Sequence, residues 1–555
     1  MQHNLSVPLL GSFYISSLAL LKFLVVAFSC TISVVYFENF YYKYNYPKWV
    51  VFDLFCILLL TYSICFSPRW RTNFLSVIIA FLTISMLITL TWSTNKFEGV
   101  LFVCRFLAFS LSIFTVVSIV PKEKLVEILM DSVFYSSILF CIVIIYNRYW
   151  LAIPYSNANF SPIGFVNYLG QVLNIWIPIL VLSIYNRRKS KVYFLLGLAS
   201  LLVLMNLLLE SLTRGTILGL LAAEMIVLFI LLLKTKKLPL KYLSVSVAFL
   251  CAVVTFNLMK ISGLSTLKGQ INSIQELNTG RENVFSNTVD MIKDNPLGVG
   301  VNNFEYTHQK YAKAGTPNAS PYVSDMRILT SPYNILLKFY SELGFLGGSL
   351  FLILFGMVFI KALLNLLKGV FIDAWIFMAV FSLYFHAMFS SVFLTPVSLF
   401  FSTLLFAVVF SRESISEAKP IGMRLEWIVV PLILLLGYLS FIKTVSANLT
   451  AKGYRVGNTE LVEKSFELNP HDYFTSLRLY ELYLMKEGNK QQALASLERA
   501  INLYPYNIYM LIKAGEVASQ LGLSDKAEEY KQRALDIYPN NPQAKLIQGV
   551  YSDIS

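Results

Sequence analysis

Gly280-Arg281-Glu282-Asn283, Asp294-Asn295-Pro296-Leu297-Gly298-Val299-Gly300 and Ser331-Pro332-Tyr333-Asn334 punctuate a polar stretch, residues 260–333, between blocks of apolar sequence. A segment this long is more than a connection; long loops between packed elements are functional or disordered. Val284, Phe285, Val289 and Ile292 recur at helical spacing before the Asn295-Pro296 stop, so order is expected. The stretch is expected to fold over the apolar block and to carry the chemistry.

Outward from it, the composition excludes a soluble globular chain. Of 555 residues, 56% are apolar and only 14% charged, and the mean hydropathy is +0.63. The apolar residues come in runs of the length that crosses a bilayer. The fold class is all-α: a polytopic membrane protein with about 12–13 transmembrane helices, a large external loop and a C-terminal α-solenoid. The predicted spans are 17–37, 49–67, 73–92, 99–120, 131–150, 163–185, 192–209, 215–233, 242–260, 335–360, 371–392, 396–411 and 426–445. The formal charge of +13 does not indicate nucleic acid, because Lys and Arg sit mostly in short loops on one side. All six cysteines lie in apolar runs without metal-ligand spacing and read as packing residues. Met1-Gln2-His3-Asn4 lacks a basic n-region, so the first helix is expected to be retained.

The loops Arg187-Arg188-Lys189-Ser190-Lys191 and Lys234-Thr235-Lys236-Lys237 set the orientation by the positive-inside rule. Counting spans from them places Arg69, Lys122, Lys361 and Arg412 in the cytoplasm. The 260–333 loop, the Ser211–Arg214 turn and the tail after 446 fall outside.

Several polar residues stand out against this background. Arg105, inside the fourth run, calls for a partner charge, a polar cavity or a snorkelling path. Asn167 and Gln171, four apart in Gly164-Phe165-Val166-Asn167-Tyr168-Leu169-Gly170-Gln171, share a helix face and suit interhelical hydrogen bonding. Arg214, in Glu210-Ser211-Leu212-Thr213-Arg214-Gly215, reads alone as a headgroup anchor. Together with Arg281 it makes a two-pronged anion site, since guanidinium forks suit phosphate oxygens.

After about residue 446 the pattern turns charged and repetitive. Ala493, Ala500 and Pro505 recur 34 residues later as Ala527, Ala534 and Pro539, and Gly488 recurs as Gly522. A further copy at Ser465, Leu468, Asn469 and Pro470 is offset by 35. This is the tetratricopeptide period, with small residues at helix crossings and Pro closing the second helix. Tyr504, Tyr506, Tyr530 and Tyr538 read as packing residues. The domains are thus 1–445, in the membrane, and 446–555, a periplasmic repeat domain that can engage a protein partner.

Five features in order resemble the O-antigen ligase family, which is related to the O-antigen polymerases. They are the Gly-Phe-x-Asn-Tyr-Leu-Gly-Gln opening (164–171), Ser-x-x-Arg-Gly (211–215), Gly-Arg-x-x-x-Phe (280–285), Asn-Pro-Leu-Gly-Val-Gly (295–300), and Tyr-Asn-x-Leu-Leu with Glu-Leu-Gly-x-x-Gly (333–347). The resemblance implies a GT-C-like fold in the bacterial inner membrane. It implies transfer of a glycan from undecaprenyl diphosphate to a hydroxyl of lipid A-core, protein or glycan on the outer face. The reaction it implies is inverting, without metal or other cofactor. Arg214 and Arg281 match the family's diphosphate-binding arginines. Tyr333-Asn334 stands where the family has His-Asn, and tyrosine at its ordinary pKa near 10 is a poor base. Tyr333, Asn334 and His308 are the catalytic candidates, with His308 either a displaced base or a surface histidine. Asn167, Gln171, Arg105, Glu342 and His386 are supporting candidates, His386 resembling a histidine frequent in the family and equally fitting a buried structural role. Two other readings are a polysaccharide polymerase and a non-catalytic scaffold that binds lipid-linked glycan.

Overall fold

The computed structural model describes residues 7–38, 40, 42–66, 74–153, 160–211, 213–236, 243, 246–248, 251, 281–312, 329–369, 371–411 and 426–547. The span expected at 242–260 falls largely outside them, as do His3, Arg69, Arg412 and Gly280. Within the described residues the regular elements are helices. In the bundle these are α1 (Val7–Val34), α2 (Asn45–Phe66), α3 (Phe74–Thr89), α4 (Lys96–Ile119), α5 (Lys122–Ile145), α6 (Val166–Arg187), α7 (Lys191–Ser211) and α8 (Arg214–Thr235). Then come α9 (Arg281–Asp294), α10 (Phe304–His308), α11 (Ile335–Lys368), α12 (Phe371–Ala387), α13 (Pro396–Phe410) and α14 (Glu426–Val456). Eight of the described helices are long and apolar enough to cross a membrane, and four shorter apolar ones accompany them. The chain is a polytopic helical membrane protein.

A helix that is apolar on every side belongs at the centre of a bundle. That helix is α6: from Leu169 to Ile184 every residue is buried, and α5, α7, α8, α12 and α13 pack around it. Its Gly170 lets the α7–α8 turn come close, since a Cβ there would lie 2.6 Å from Thr216 Oγ1 and 2.8 Å from Thr213 Oγ1. Among the described residues, basic side chains next to the 187–191 and 234–236 turns are held by partners in the bundle. Lys22 pairs with Glu127 and Asp131, each at 2.6 Å, Arg187 also pairs with Asp131, and Lys234 donates to Leu367 O at 2.6 Å. Lys22 is thus held by two carboxylates.

The described parts of the polar stretch, residues 281–312 and 329–333, fold around α11. The helix expected over Val284–Ile292 forms as α9 and stops at Asn295-Pro296. The Pro296–Gly300 turn then locks into α11, whose backbone breaks at Gly344 (φ 67°, ψ −169°). The break frees helical hydrogen-bonding groups, and the turn takes them up. Val299 N donates to Ser341 O and Gly300 N to Glu342 O, while Phe345 N donates to Pro296 O, all at 3.0 Å. Beneath the junction Lys338 and Glu342 form a buried ion pair at 2.5 Å, and Glu342 also accepts from Phe304 N at 3.1 Å.

α14 runs on past the composition change to Val456. It packs against α15 (Thr459–Leu468), where Ser446 and Thr450 hydrogen-bond Ser465 at 2.9 and 2.7 Å. Next come α16 (Tyr473–Met485), α17 (Lys490–Leu503), α18 (Ile508–Gln520), α19 (Ser524–Ile537) and α20 (Pro542–Lys545), each packed on its neighbour in sequence. The repeating Ala493, Ala500, Ala527 and Ala534 are fully buried, and Tyr504 lies buried, stacked on Tyr473 with ring centroids 5.2 Å apart.

The Gly344 junction admits no Cβ. One at Gly298 (φ 84°) would lie 2.3 Å from Glu342 O, and one at Gly344 would lie 2.3 Å from Pro296 O. Gly298→Ala and Gly344→Ala are each expected to cost about 2–4 kcal/mol, combining backbone strain with displacement of packed backbone. Gly356→Ala, with open space around it, should be neutral or slightly stabilising. Thermal unfolding in detergent checks the contrast; equal melting temperatures for all three would refute the interlock.

Candidate functional site

The turn between α12 and α13 is where the separated motifs meet. His386, in the last turn of α12, is buried and lies 2.8 Å through Nδ1 from Asn174 Nδ2 of α6 and 3.2 Å from Thr216 Oγ1 of α8. The amide as placed donates, which makes Nδ1 the acceptor and puts a neutral ring's proton on Nε2. Gly215 packs against the same ring, where a Cβ would meet His386 Cδ2 at 2.9 Å. Arg214, its neighbour, opens α8 with an exposed side chain.

From the other flank Arg281 opens α9 and donates from Nη1 to Phe389 O at 3.0 Å. Its guanidinium lies over the Tyr333 ring, 5.3 Å from the centroid. Tyr333 adopts φ 56°, a left-handed conformation that costs a non-glycine residue about 1–2 kcal/mol. Asn334 caps α11: its side chain accepts from Leu337 N at 3.0 Å and donates to Met388 O at 3.2 Å. Gln171 holds the turn from beneath, donating to Ser390 Oγ at 3.1 Å and accepting from Thr395 Oγ1 at 2.8 Å.

Three helix N-termini therefore border residues 386–390: α8 at Arg214, α9 at Arg281 and α11 behind Asn334. Each brings the positive end of a helix dipole, and two begin with arginine. The arrangement suits an anion with several oxygens.

The remaining candidates lie elsewhere. His308 is only 2% exposed, which overturns the surface reading; its ring packs on Phe304 at 4.8 Å. Burial holds its imidazole down at about 4, so it is neutral at pH 7. Glu342 belongs to the Gly344 junction. Arg105 finds the partner charge its position calls for in Asp53 of α2, with bonds at 2.7 and 3.0 Å, and covers the Trp49 ring at 4.0 Å. Asn167 opens α6 half-buried. Asn174, Thr216, Ser390, Asp53 and Lys338 escaped the sequence reading. Asn174 left a signal, since Asn167, Gln171 and Asn174 are spaced four and three apart on one helix face. Among the described residues no three His, Cys, Asp or Glu side chains gather as a metal ion requires.

Residues 198–352 match the family model for O-antigen ligase. The matched region holds Arg214, Arg281, the 295–300 turn, Tyr333-Asn334 and the Gly344 break. A search of curated proteins finds no match. The family supports a membrane enzyme of the ligase or polymerase type.

His308 makes stability pH-dependent. Its folded pKa, about 4, lies below the usual 6.5. Between these values the unfolded chain binds a proton that the folded chain refuses, so stability falls as pH drops from 6.5 towards 4. His308→Phe should flatten that limb in unfolding measured across pH 4–7; an unchanged slope would show that His308 is accessible to protons.

Proposed function

We propose that the chain transfers a glycan from undecaprenyl diphosphate to an acceptor hydroxyl at the outer face of the inner membrane, in the manner of an O-antigen ligase. One observation carries this reading: Arg214 and Arg281 open two helices on either side of the 386–390 turn, with Tyr333 beneath Arg281. The family match over the same residues supports it.

In this reading each group has a role. The bond from the anomeric carbon to diphosphate breaks and leaves its electron pair on the phosphate oxygen. The guanidinium groups and helix N–H groups stabilise that charge as it develops, and this is the main source of rate. The acceptor oxygen bonds to the anomeric carbon from the opposite face, which inverts it, and its proton is released to solvent. Tyr333, held by its strained backbone, orients the acceptor hydroxyl. Asn334 and Gln171 hold the turn, and His386 ties α6, α8 and α12 together behind it. The tail helices, read as tetratricopeptide repeats, present the acceptor or a partner protein.

In vitro transfer from a purified lipid-linked glycan tests the assignment. Arg281→Ala and Arg214→Ala should each lower kcat by roughly 100-fold or more, with little rescue by Lys, which lacks the planar fork. Tyr333→Phe should lose activity and Tyr333→His should keep or raise it, since a histidine there adds a base of suitable pKa. Intact transfer in both alanine variants would overturn the reading in favour of a glycan-binding scaffold.

A further inference from the structure

A cavity of about 690 Å³ lies beside the segments that carry Tyr333 and Phe389, within the size range of small-molecule sites. Thr330 and Phe393 line it, three and four residues from Tyr333 and Phe389, which meet Arg281, so these two segments border both the cavity and the arginine. Its inner walls are apolar: Phe106, Phe109 and Ile113 of α4 face Phe351, Phe355 and Val358 of α11. Along α4 it extends from Glu98 to Phe114, about 24 Å at the helical rise. This length accommodates a lipid chain.

The rim is polar, and its lysines and arginine are matched to carboxylates. Lys443 pairs with both Glu98 oxygens at 2.6 Å, Lys338 with Glu342 at 2.5 Å and Arg105 with Asp53 at 2.7 Å. Asp472 and Glu305 add further carboxyl groups. Glu305 is enclosed by protein but keeps surface open to the cavity. Burial, reinforced by the Glu98 charge, pushes its carboxyl up to about 7; when protonated it donates a hydrogen bond. Tyr44, Tyr168 and Tyr306 complete the rim. Cations already matched to carboxylates give no purchase to a phosphate, in contrast to the Arg214–Arg281 flank; hydroxyl and carboxyl groups suit neutral hydroxyls.

The roof comes from the tail. His471 to Phe474 line the cavity and are fixed by Asn95, whose Nδ2 donates to His471 O at 3.0 Å and Tyr306 OH at 3.1 Å. Asn95 N in turn donates to Asn303 Oδ1 at 2.7 Å, and the His471 ring stacks on Phe97 at 6.0 Å.

We infer that this cavity is the acceptor site, and that it takes a membrane lipid whose head is uncharged and rich in hydroxyls, held under the roof formed by residues 471–474. The acceptor role rests on the transferase reading above; the binding does not.

The full chain in liposomes, irradiated with a glucosyl-diacylglycerol carrying a diazirine in one chain, tests it by peptide mapping. Phosphatidylglycerol with the same chain is the comparison. The neutral glycolipid should label α4 and α11 peptides at the cavity, and the anionic lipid should label them far less. Val358→Trp and Ser110→Phe, which fill the cavity, should lose most of that labelling. Labelling at the exposed Phe81 and Leu346 should stay unchanged in both, which reports an intact fold. Equal cavity labelling by both lipids, or labelling indifferent to both variants, overturns the proposal. Arg281→Ala should keep the labelling while losing transfer. Transfer without cavity labelling sinks the cavity assignment alone; labelling without transfer in any form sinks the acceptor role and the transferase reading together.

Discussion

The break in α11 at Gly344 is the constraint from which the rest follows. A long apolar helix cannot expose backbone N–H and C=O groups inside a protein without partners. Here the partners come from the Pro296–Gly300 turn, so the two glycine-bearing motifs complete each other. The exchange pins the polar stretch to the bundle, which sets where α9 begins and hence where Arg281 lies. It also places Lys338 and Glu342 under Phe304. Removing one member of such a buried pair leaves an uncompensated charge, which is why the pair ties the segment down even if its net contribution is small.

The same end of the bundle separates two kinds of electrostatics. At the 386–390 turn, helix N-termini and arginines accumulate positive potential in one place. Around the neighbouring cavity, each rim lysine and arginine is neutralised by a carboxylate nearby. Under the proposed function, a lipid diphosphate and a neutral glycolipid would therefore sort to adjoining places that meet at the 330–333 segment. Tyr333, which bears on Arg281, follows closely in sequence on Thr330, which bears on the cavity.

The tail is not an independent appendage. α14 carries the chain out of the bundle without interruption, and Asn95, Asn303, Tyr306 and His471 fasten the first tail helices back onto it. Tyr306 packs against both Tyr473 and Tyr504, so the polar stretch and the tail share one aromatic cluster.

Much of this was legible in the chain itself. Apolar run length determined a polytopic helical bundle, because the cost of burying charge in lipid acts residue by residue. The helix at 281–294 was legible from periodicity and its Asn-Pro stop, and Arg214 and Arg281 stood out by their chemistry as a possible pair. Only tertiary structure decided who partners whom. Asp53 lies 52 positions from Arg105 and Asn174 lies 212 from His386, and neither spacing leaves a local trace. His308 looked like a loop histidine because its neighbours are polar in sequence. It is buried because α10 folds against α9 and α11, a packing that depends on contacts distant along the chain. The cavity, its polar rim and its roof likewise exist only once α4, α11, α14 and the tail are brought together.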